Sequence, residues 1–388
     1  MVSRLLMHVG PSLSNFNVLS SANATNIGFA SPEFNEAMKS SLEGVRYVMG
    51  ADESYTPFIL PCSGTGAMES TVSFLKKGSR VLIVSNGVFG DRWEKILARY
   101  PVEFMILKAN PGSTLSVDQV VTELQTAHYD AVTLTHVETS TGVRVPLKSM
   151  VAAVRPFVNI VIVDGVASVG GEKLNLSEWK IDVCLTASQK ALGAQAGAGI
   201  VLASEHAISM LREASISGYL LDLRNWLPVM DEFLKGRGGY FATPPVGTVF
   251  SVRSSIDLIR TETIESRVDR HKTCAEAFRN GIKAMGLEMV AGEGVRSNTV
   301  SGVYMKEINT GRFLQECMTN GVEFAAGVHP LIKDSYFRVG HMGWVEPSHI
   351  IKAVNTIEKS AISLGAHLNR GEGEKAVMEI FGNNPQVL

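Results

Sequence analysis

The chain has 388 residues, of which 45% are hydrophobic and 19% are charged, values typical of a soluble globular protein with room for more than one domain. Its net charge of −2 gives no reason to expect nucleic acid or a membrane surface as a partner. No apolar run approaches the length that spans a membrane. The first residues lack a signal-peptide core, and the last residues, NNPQVL, are not a peroxisomal signal, so we expect a cytoplasmic location.

Residues 1–17 are predicted to form an irregular N-terminal arm. A helix follows, with Ser31 as its predicted N-cap, Pro32 at the first helical position and Glu33 in the first turn. Further on, apolar runs alternate with amphipathic segments, and residues 205–236 are predicted to be helical. We predict strands at 59–62, 80–84, 102–107, 131–137, 160–163, 183–186 and 199–203, and helices at 67–78, 91–100, 116–127 and 146–157. This alternation predicts the α/β class, with a mainly parallel sheet flanked by helices.

A long amphipathic helix over about residues 262–285 marks a predicted domain boundary. The elements predicted beyond it are strands at 301–306 and 336–340 and helices at 310–321 and 347–364. We therefore predict an N-terminal arm at 1–17, a large domain at 18–262 and a smaller α+β C-terminal domain at 263–388. The four cysteines of the chain are too widely spaced for a metal site, and Cys184 is predicted to be a core residue.

Two residues indicate the chemistry of the chain. Asp164 ends the strand at 160–163, and Lys190 follows the strand at 183–186. The carboxyl ends of parallel strands meet at one edge of a sheet, where ligands bind. A partly buried lysine loses part of its preference for the charged form and can form a Schiff base, while a nearby acid can keep a pyridine nitrogen protonated. Taken alone, however, a surface lysine and an aspartate that caps a turn would be the commoner explanation.

The segments around both residues change that interpretation. VDGVASVGG, which contains Asp164, and SQKALGAQAGAG, which contains Lys190, closely resemble the class V aminotransferases, pyridoxal phosphate (PLP) enzymes of fold type I. The nearest resemblance is to the serine–pyruvate and alanine–glyoxylate aminotransferases, and it extends from Gly10 to about residue 345. The resemblance implies a large PLP-dependent transferase-like domain. It also implies that Lys190 forms the Schiff base with the cofactor and that Asp164 holds the pyridine nitrogen.

Further cofactor residues are predicted by the same resemblance. The turn Ser63-Gly64-Thr65 opens a helix, and free backbone N–H groups at such a point attract anions, although a plain turn is an equally good explanation. The resemblance implies that this turn binds the cofactor phosphate, and Gln189, next to Lys190, is included among the cofactor-binding residues. Phe89, in a predicted loop, would stack on the cofactor ring, although a phenylalanine there is more often a core or lid residue.

Three more positions have roles that the resemblance implies. In the motif HVETSTG, Thr139 would place a hydroxyl near a ring substituent, and we interpret His136 and Glu138 as supporting groups, His136 being a hydrogen-bonded structural residue. In the glycine- and proline-rich loop at 238–245, Tyr240 and Thr243 would reach the cofactor phosphate of the other subunit of a homodimer. These hydroxyls and a helix N-terminus would satisfy most phosphate oxygens.

Arg338, in the R-x-G motif of a predicted strand, would bind the α-carboxylate of the substrate. The resemblance implies an aminotransferase that moves the amino group of serine or alanine to pyruvate or glyoxylate with ping-pong kinetics. Ureidoglycine or aminoethylphosphonate transaminases are alternatives, because Phe29 and Phe89 replace the histidine and tryptophan that relatives often have. A cysteine desulfurase or other lyase, a dehydrogenase and a non-catalytic binding protein are further alternatives. The missing G-x-G-x-x-G motif argues against the dehydrogenase.

Overall fold

The computed structural model describes residues 4–23 and 27–383. Residues 1–3 of the predicted arm and residues 384–388 of the C-terminal tail lie outside the described residues, as do residues 24–26. None of the helices in the described part of the chain is both long and apolar enough to cross a bilayer.

The strands are between two and six residues long. In chain order they are β1 (Leu5–Leu6), β2 (Thr56–Leu60), β3 (Arg80–Ser85), β4 (Glu103–Lys108), β5 (Ala131–Thr135), β6 (Val137–Glu138), β7 (Val143–Arg144), β8 (Ile160–Asp164), β9 (Val183–Ala187), β10 (Gly199–Ala203), β11 (Val300–Tyr304), β12 (Val322–Glu323), β13 (Ala325–Ala326) and β14 (Tyr336–Gly340).

The α-helices range from one turn to six turns. In chain order they are α1 (Phe16–Ser21), α2 (Pro32–Met49), α3 (Gly64–Ser70), α4 (Val88–Leu97), α5 (Val117–Thr126), α6 (Leu147–Val154), α7 (Leu176–Trp179), α8 (Glu205–Glu213), α9 (Leu223–Leu234), α10 (Val246–Glu262), α11 (Ile264–Ala284), α12 (Thr310–Thr319), α13 (Pro347–Ser363) and α14 (Glu372–Gly382). Short 3₁₀ helices occur at Thr71–Phe74, Arg155–Phe157 and Lys333–Ser335.

A seven-stranded sheet with the order β2-β10-β9-β8-β5-β3-β4 forms the centre of the fold. Every neighbouring pair from β9 to β4 is parallel, whereas β10 is antiparallel to both β2 and β9. The strands β5, β8, β9 and β10 are buried at every residue, as expected for a sheet that is covered on both faces. The predicted α/β class with a mainly parallel sheet is confirmed.

Capping residues at the starts of two helices were sufficient to predict where those helices begin. Ser31 caps α2, since its side chain accepts a hydrogen bond from the backbone N–H of Phe34, and Pro32 is the first helical residue. Ser116 and Gln119 form a capping box at the start of α5. These two helix starts were correctly predicted.

Two helix predictions were wrong, and one helix was not predicted. The helix at 67–78 ends at Ser70 and continues only as a 3₁₀ turn, because the hydroxyls of Ser70, Thr71 and Ser73 bond to carbonyls three residues earlier and compete with helical hydrogen bonds. The helical stretch at 205–236 is two helices, α8 and α9, separated at a segment that contains Gly218 and ends at the N-cap Asp222. The helix α10 was not predicted, since its valines, serines and threonines are weak helix formers.

A second hydrophobic cluster lies on the C-terminal part of the chain. Its centre is formed by Phe278, Phe313 and Phe337, which belong to α11, α12 and β14. The predicted arm is not irregular throughout, since β1 lies within it and α1 begins at Phe16. Its start belongs to this cluster, because β1 pairs in parallel with β12 and Leu5 is buried there. We propose the predicted limits of 18–262 and 263–388 for the two domains. The second domain would begin at Thr263, whose φ of 68° separates α10 from α11.

Arg267 joins segments that are far apart in sequence. Its side chain is fully buried, and it donates hydrogen bonds to the carbonyl oxygens of Gly170 at 2.9 Å, Ala191 at 2.9 Å and Gly343 at 3.0 Å. A further N–H group contacts Glu262 at 3.0 Å, and the guanidinium lies 4.3 Å from the centre of the Trp344 ring. One side chain therefore holds the loops that follow β8, β9 and β14 in register.

Replacement of Arg267 by methionine should lower the free energy of unfolding by about 3–5 kcal/mol, because it leaves three buried carbonyl groups without their donor and removes a buried cation from its acid. The measurement is a urea unfolding curve. Arg253→Met is the control, since Arg253 lies on α10 in a partly exposed ion pair with Asp257 at 3.8 Å, and its loss should cost about 1 kcal/mol or less. Equal effects of the two substitutions would contradict the joining role of Arg267.

Candidate active site

A cavity of about 160 Å³ opens where β5, β8 and β9 end. Eight of the residues predicted from the sequence line it, and they come from five separate segments of the chain. They are Ser63, Gly64, Thr65, Phe89, Thr139, Asp164, Gln189 and Lys190. Four further residues line the same cavity and were not predicted, namely Met68, Arg92, Val137 and Val166.

Asp164 is the last residue of β8 and is only 4% exposed. Its Oδ1 atom accepts a hydrogen bond from the backbone N–H of Val166 at 2.9 Å. Burial raises the pKa of this carboxyl to about 7, and Glu138 raises it further, while the Val166 hydrogen bond, Arg92 and Lys190 act in the opposite direction. A cationic partner in the cavity would restore the charged form of the acid.

Lys190 lies against the N-terminal segment of the chain. Its Nζ atom donates to the carbonyl oxygen of Val9 at 2.5 Å, and its own carbonyl accepts from Ser12 Oγ at 2.6 Å. Gly10 passes so close, with a φ of 132°, that a Cβ atom there would lie 2.6 Å from Cδ and Cε of the lysine. Burial, Arg338 and Arg92 lower the pKa of the amine to about 8, although Asp164 opposes this shift.

Phe89 is fixed by a buried carboxylate from another element. The helix α4 begins at Val88, so Phe89 lies in its first turn and not in a loop, which corrects the prediction. The N-cap, Gly87, has no side chain, and Glu138 takes its place by accepting from the backbone N–H groups of Phe89 and Gly90, each at 3.1 Å. Glu138 also accepts from Ser140 Oγ at 2.6 Å, so it is a supporting group, as predicted.

His136 differs from its prediction. It is 3% exposed, and its Nδ1 atom has no hydrogen-bond partner among the described residues, so the ring is not the hydrogen-bonded structural residue that we expected. Burial lowers its pKa to about 3, which keeps the ring neutral. The Oε1 atom of Gln189 is also buried without a partner in the described part of the chain, and it belongs to a residue that lines the cavity.

Arg338 lies beside the cavity, on β14, and is 6% exposed. Its Nε atom donates to the carbonyl oxygen of Ala326 at 2.8 Å and its Nη1 atom to that of Thr139 at 3.3 Å. These contacts hold the guanidinium next to the predicted cofactor residue Thr139, and its charge is strong enough at Lys190 to lower the lysine's pKa.

Tyr240 and Thr243 do not line the cavity within one chain. Tyr240 is 63% exposed and stacks on Phe29 with ring centres 5.1 Å apart, and Thr243 is also exposed. Their predicted role requires a second subunit, so it stays a prediction.

Arg92 is the functional candidate that the sequence interpretation missed. It lies three residues after Phe89 on α4, and side chains at this spacing share one face of a helix. The helix predicted from the sequence begins only at Asp91, so it contains Arg92 but leaves Phe89 in the preceding loop. A start of the helix at Val88 would have placed both on the side that faces the cavity.

Residues 6–348 match the family described as aminotransferase class-V. The chain belongs to this family. It is 32% identical over 356 residues to alanine–glyoxylate aminotransferase 1 of Saccharomyces cerevisiae, which covers 87% of this chain and 91% of the yeast protein.

Solved structures of this class V enzyme's relatives share its fold. Pyridoxamine–pyruvate aminotransferase from Mesorhizobium loti superimposes with a TM-score of 0.92 at 23% identity, covering 99% of this chain and 98% of that one. Ureidoglycine–glyoxylate aminotransferase from Bacillus subtilis gives a TM-score of 0.90 at 24% identity, covering 98% of both chains. The predicted PLP-dependent transferase-like fold is confirmed, and the protein is a transaminase.

The cofactor of this class V aminotransferase is PLP, and the cavity fits it. PLP enzymes require a lysine amine for the Schiff base and an acid for the pyridine nitrogen, and Lys190 and Asp164 line one cavity here. The lowered pKa of Lys190 favours its nucleophilic form. The unpaired Oε1 of Gln189 leaves a polar atom available to a ligand.

Reconstitution of the cofactor-free enzyme with PLP should accelerate with pH and level off above about pH 8. The amine of Lys190 is protonated below its pKa of about 8 and cannot attack a carbonyl, whereas it is neutral above that pH. The measurement is the rate at which visible absorbance develops after PLP is mixed with the apoprotein at several pH values. A rate that keeps rising to about pH 10, as expected for an ordinary lysine, would contradict the lowered pKa.

Proposed function

We propose that this transaminase moves the amino group of a small amino acid, serine or alanine, to pyruvate or glyoxylate with ping-pong kinetics. The observation that carries the proposal is the presence of Lys190 and Asp164 in one cavity with Arg338 beside it. The likeness to the yeast alanine–glyoxylate aminotransferase supports the choice of substrates. The enzyme's partners are therefore a small amino acid and a 2-oxo acid.

In this proposal Lys190 is the proton carrier. Bound PLP supplies a carbonyl group for the Schiff base and a ring that withdraws electrons from the reacting carbon. The Nζ atom of Lys190, once free, removes the α-proton of the amino acid and later returns a proton, first as a base and then as an acid. A pKa of about 8 suits both tasks, since the amine gains and loses a proton easily near neutral pH.

Asp164 would hold the proton on the pyridine nitrogen. Its burial disfavours an isolated carboxylate, but a cationic ring nitrogen at hydrogen-bond distance would favour the charged pair over two neutral groups. Phe89 would lie against the cofactor ring, and the hydrogen bond from its backbone N–H to Glu138 would keep it there. Thr139 would place its hydroxyl near a ring substituent.

The phosphate would be held by neutral donors from two subunits. Ser63, Gly64 and Thr65 offer hydroxyls and backbone N–H groups at the start of α3, and Gln189 adds an amide beside them. We propose a homodimer in which Tyr240 and Thr243 reach the other subunit's cofactor. Their exposure in the single chain is compatible with this arrangement.

Arg338 would bind the α-carboxylate of the amino donor. Two of its five N–H groups are bonded to backbone carbonyls, which orients the guanidinium and leaves the other donors for a bidentate contact. The cost of burying this cation would be offset by the carboxylate of the substrate.

The cysteines argue against a desulfurase. Such an enzyme needs a mobile, reactive thiol, but Cys317 is fully buried in α12 and burial raises its pKa to about 12. Cys184 and Cys274 are also fully buried, and burial raises the pKa of the half-buried Cys62 to about 11. Ureidoglycine and aminoethylphosphonate stay alternative donors, and the cytoplasmic location stays a prediction.

The first half of the reaction tests the substrate class. L-serine or L-alanine, added without any oxo acid to the PLP-loaded enzyme, should abolish the visible band of the bound cofactor and release about one equivalent of hydroxypyruvate or pyruvate per site. The measurements are the absorbance spectrum and the assay of the released oxo acid. An absorbance band that does not change when either amino acid is added would reject the proposed substrate class.

Arg338→Gln is the variant that links this test to the site. It should raise the donor concentration needed for half-conversion by about 10- to 100-fold, because a charge-assisted bidentate contact is lost. Arg312→Gln, at an exposed position on α12, is the matched control and should leave that concentration unchanged. A normal response of the Arg338→Gln enzyme would show that the carboxylate binds elsewhere.

A further inference from the structure

Arg92 is a cation of the active-site cavity to which no role has yet been assigned. It lines the cavity together with Thr65, Phe89, Asp164 and Lys190. Its Nη1 atom donates to Thr65 Oγ1 at 2.7 Å, and its guanidinium carbon lies 4.6 Å from the centre of the Phe89 ring. Arg92 therefore joins the turn predicted to bind the phosphate to the aromatic ring predicted to stack on the cofactor.

The guanidinium of Arg92 attracts Asp164 across the cavity but forms no ion pair among the described residues. Among the described residues, the contact with Thr65 is its single hydrogen bond, and no acid lies within ion-pair distance of it. The neighbouring Asp91 contacts Lys108 at 3.3 Å instead. An arginine has five N–H donors, so most of those of Arg92 are available to a ligand.

The phosphate, in turn, lacks a cation in the proposed site. The residues proposed to hold it are Ser63, Gly64, Thr65, Gln189, Tyr240 and Thr243, and all of them are uncharged. A phosphate ester carries a charge between about −1.5 and −2 at neutral pH, and a partly buried anion without a counter-ion is costly. Of the two cations that line the cavity, Lys190 is committed to the Schiff base, which leaves Arg92.

We propose that Arg92 is the counter-charge of the cofactor phosphate and that it binds the phosphate together with Thr65. The backbone that carries Arg92 is held in place, because Glu138 accepts hydrogen bonds from the N–H groups of Phe89 and Gly90 in the first turn of α4. The same guanidinium lies over Phe89, so phosphate binding and the position of the stacking ring are coupled through one side chain.

Arg338 explains why Arg92 is assigned to the phosphate and not to the substrate. Arg338 already offers a carboxylate site at the Thr139 side of the cavity, whereas Arg92 contacts Thr65, in the turn at the start of α3. The inference rests on the proposed role of that turn in binding the phosphate. It does not depend on which amino acid is the donor.

The test compares PLP with pyridoxal, which lacks the phosphate. Each ligand is titrated into the apoprotein without any amino donor, and the dissociation constant is read from the absorbance change. Arg92→Gln should raise the dissociation constant of PLP by about 10- to 100-fold and change that of pyridoxal by less than about threefold. Arg92→Lys should fall between Arg92→Gln and the wild type, since it keeps the charge but loses the planar fork.

One control variant and one further variant of the site accompany this comparison. Arg99→Gln changes an exposed arginine just beyond α4 and should leave the affinity for both ligands unchanged. Thr65→Val removes the oxygen atom that accepts a hydrogen bond from Arg92 but leaves the cation in place. It should therefore lower the affinity for PLP less than Arg92→Gln does. Inorganic phosphate should compete with PLP for the wild-type apoprotein and compete less well for Arg92→Gln.

The alternatives give different patterns. If Arg92→Gln lowered the affinity for PLP and for pyridoxal by the same factor, Arg92 would only support Phe89, and the proposal would be wrong. Unchanged affinity for both ligands, with a raised half-saturating concentration of the amino donor, would place Arg92 on the substrate and would also overturn it. Failure of serine and alanine as donors would reject the proposed substrates but would leave this binding comparison intact.

Discussion

The parallel pairing of β8 with β9 is the constraint on which the active site depends. It sets Asp164 opposite Leu185 in the register of the sheet, so that the acid and the loop that carries Lys190 emerge at the same edge. The pairing of β5 with β8 brings the segment containing Thr139 to that edge as well. Arg267 then holds the loops beyond these strands through the carbonyl groups of Gly170 and Ala191. A change of register in this part of the sheet would disperse the whole site.

Burial gives these residues their chemistry. The same exclusion of water raises the pKa of Asp164 and lowers that of Lys190, so each group is closer to neutral than it would be at the surface. Arg92 and Arg338 both push the lysine towards its neutral form. Both arginines are held by neutral oxygen atoms rather than by acids, and we propose that they bind two anionic groups, the phosphate of the cofactor and the carboxylate of the substrate.

The sequence was sufficient for features that depend on local order. The location of Asp164 and Lys190 at one edge of the sheet was predictable, because Asp164 ends one short apolar strand, Lys190 follows another, and parallel strands align their carboxyl ends. Their roles were predicted only from the resemblance of the surrounding segments to class V aminotransferases. The contact of Gly10 with Lys190 was not predictable, because it joins residues 180 positions apart through packing. Arg92 was missed for a related reason. The first turn of α4 contains a glycine, and its N-cap has no side chain. The start of this helix therefore depends on Glu138, which belongs to β6.

The central claim is that Lys190 carries the cofactor, and chemical trapping tests it most directly. The PLP-loaded enzyme is reduced with borohydride, digested and mapped by mass spectrometry, which locates the stabilised bond between cofactor and protein. We expect the modification on the peptide that contains Lys190, at close to one equivalent per chain. Modification of a different lysine, with Lys190 unmodified, would contradict the assignment and the description of the active site built on it.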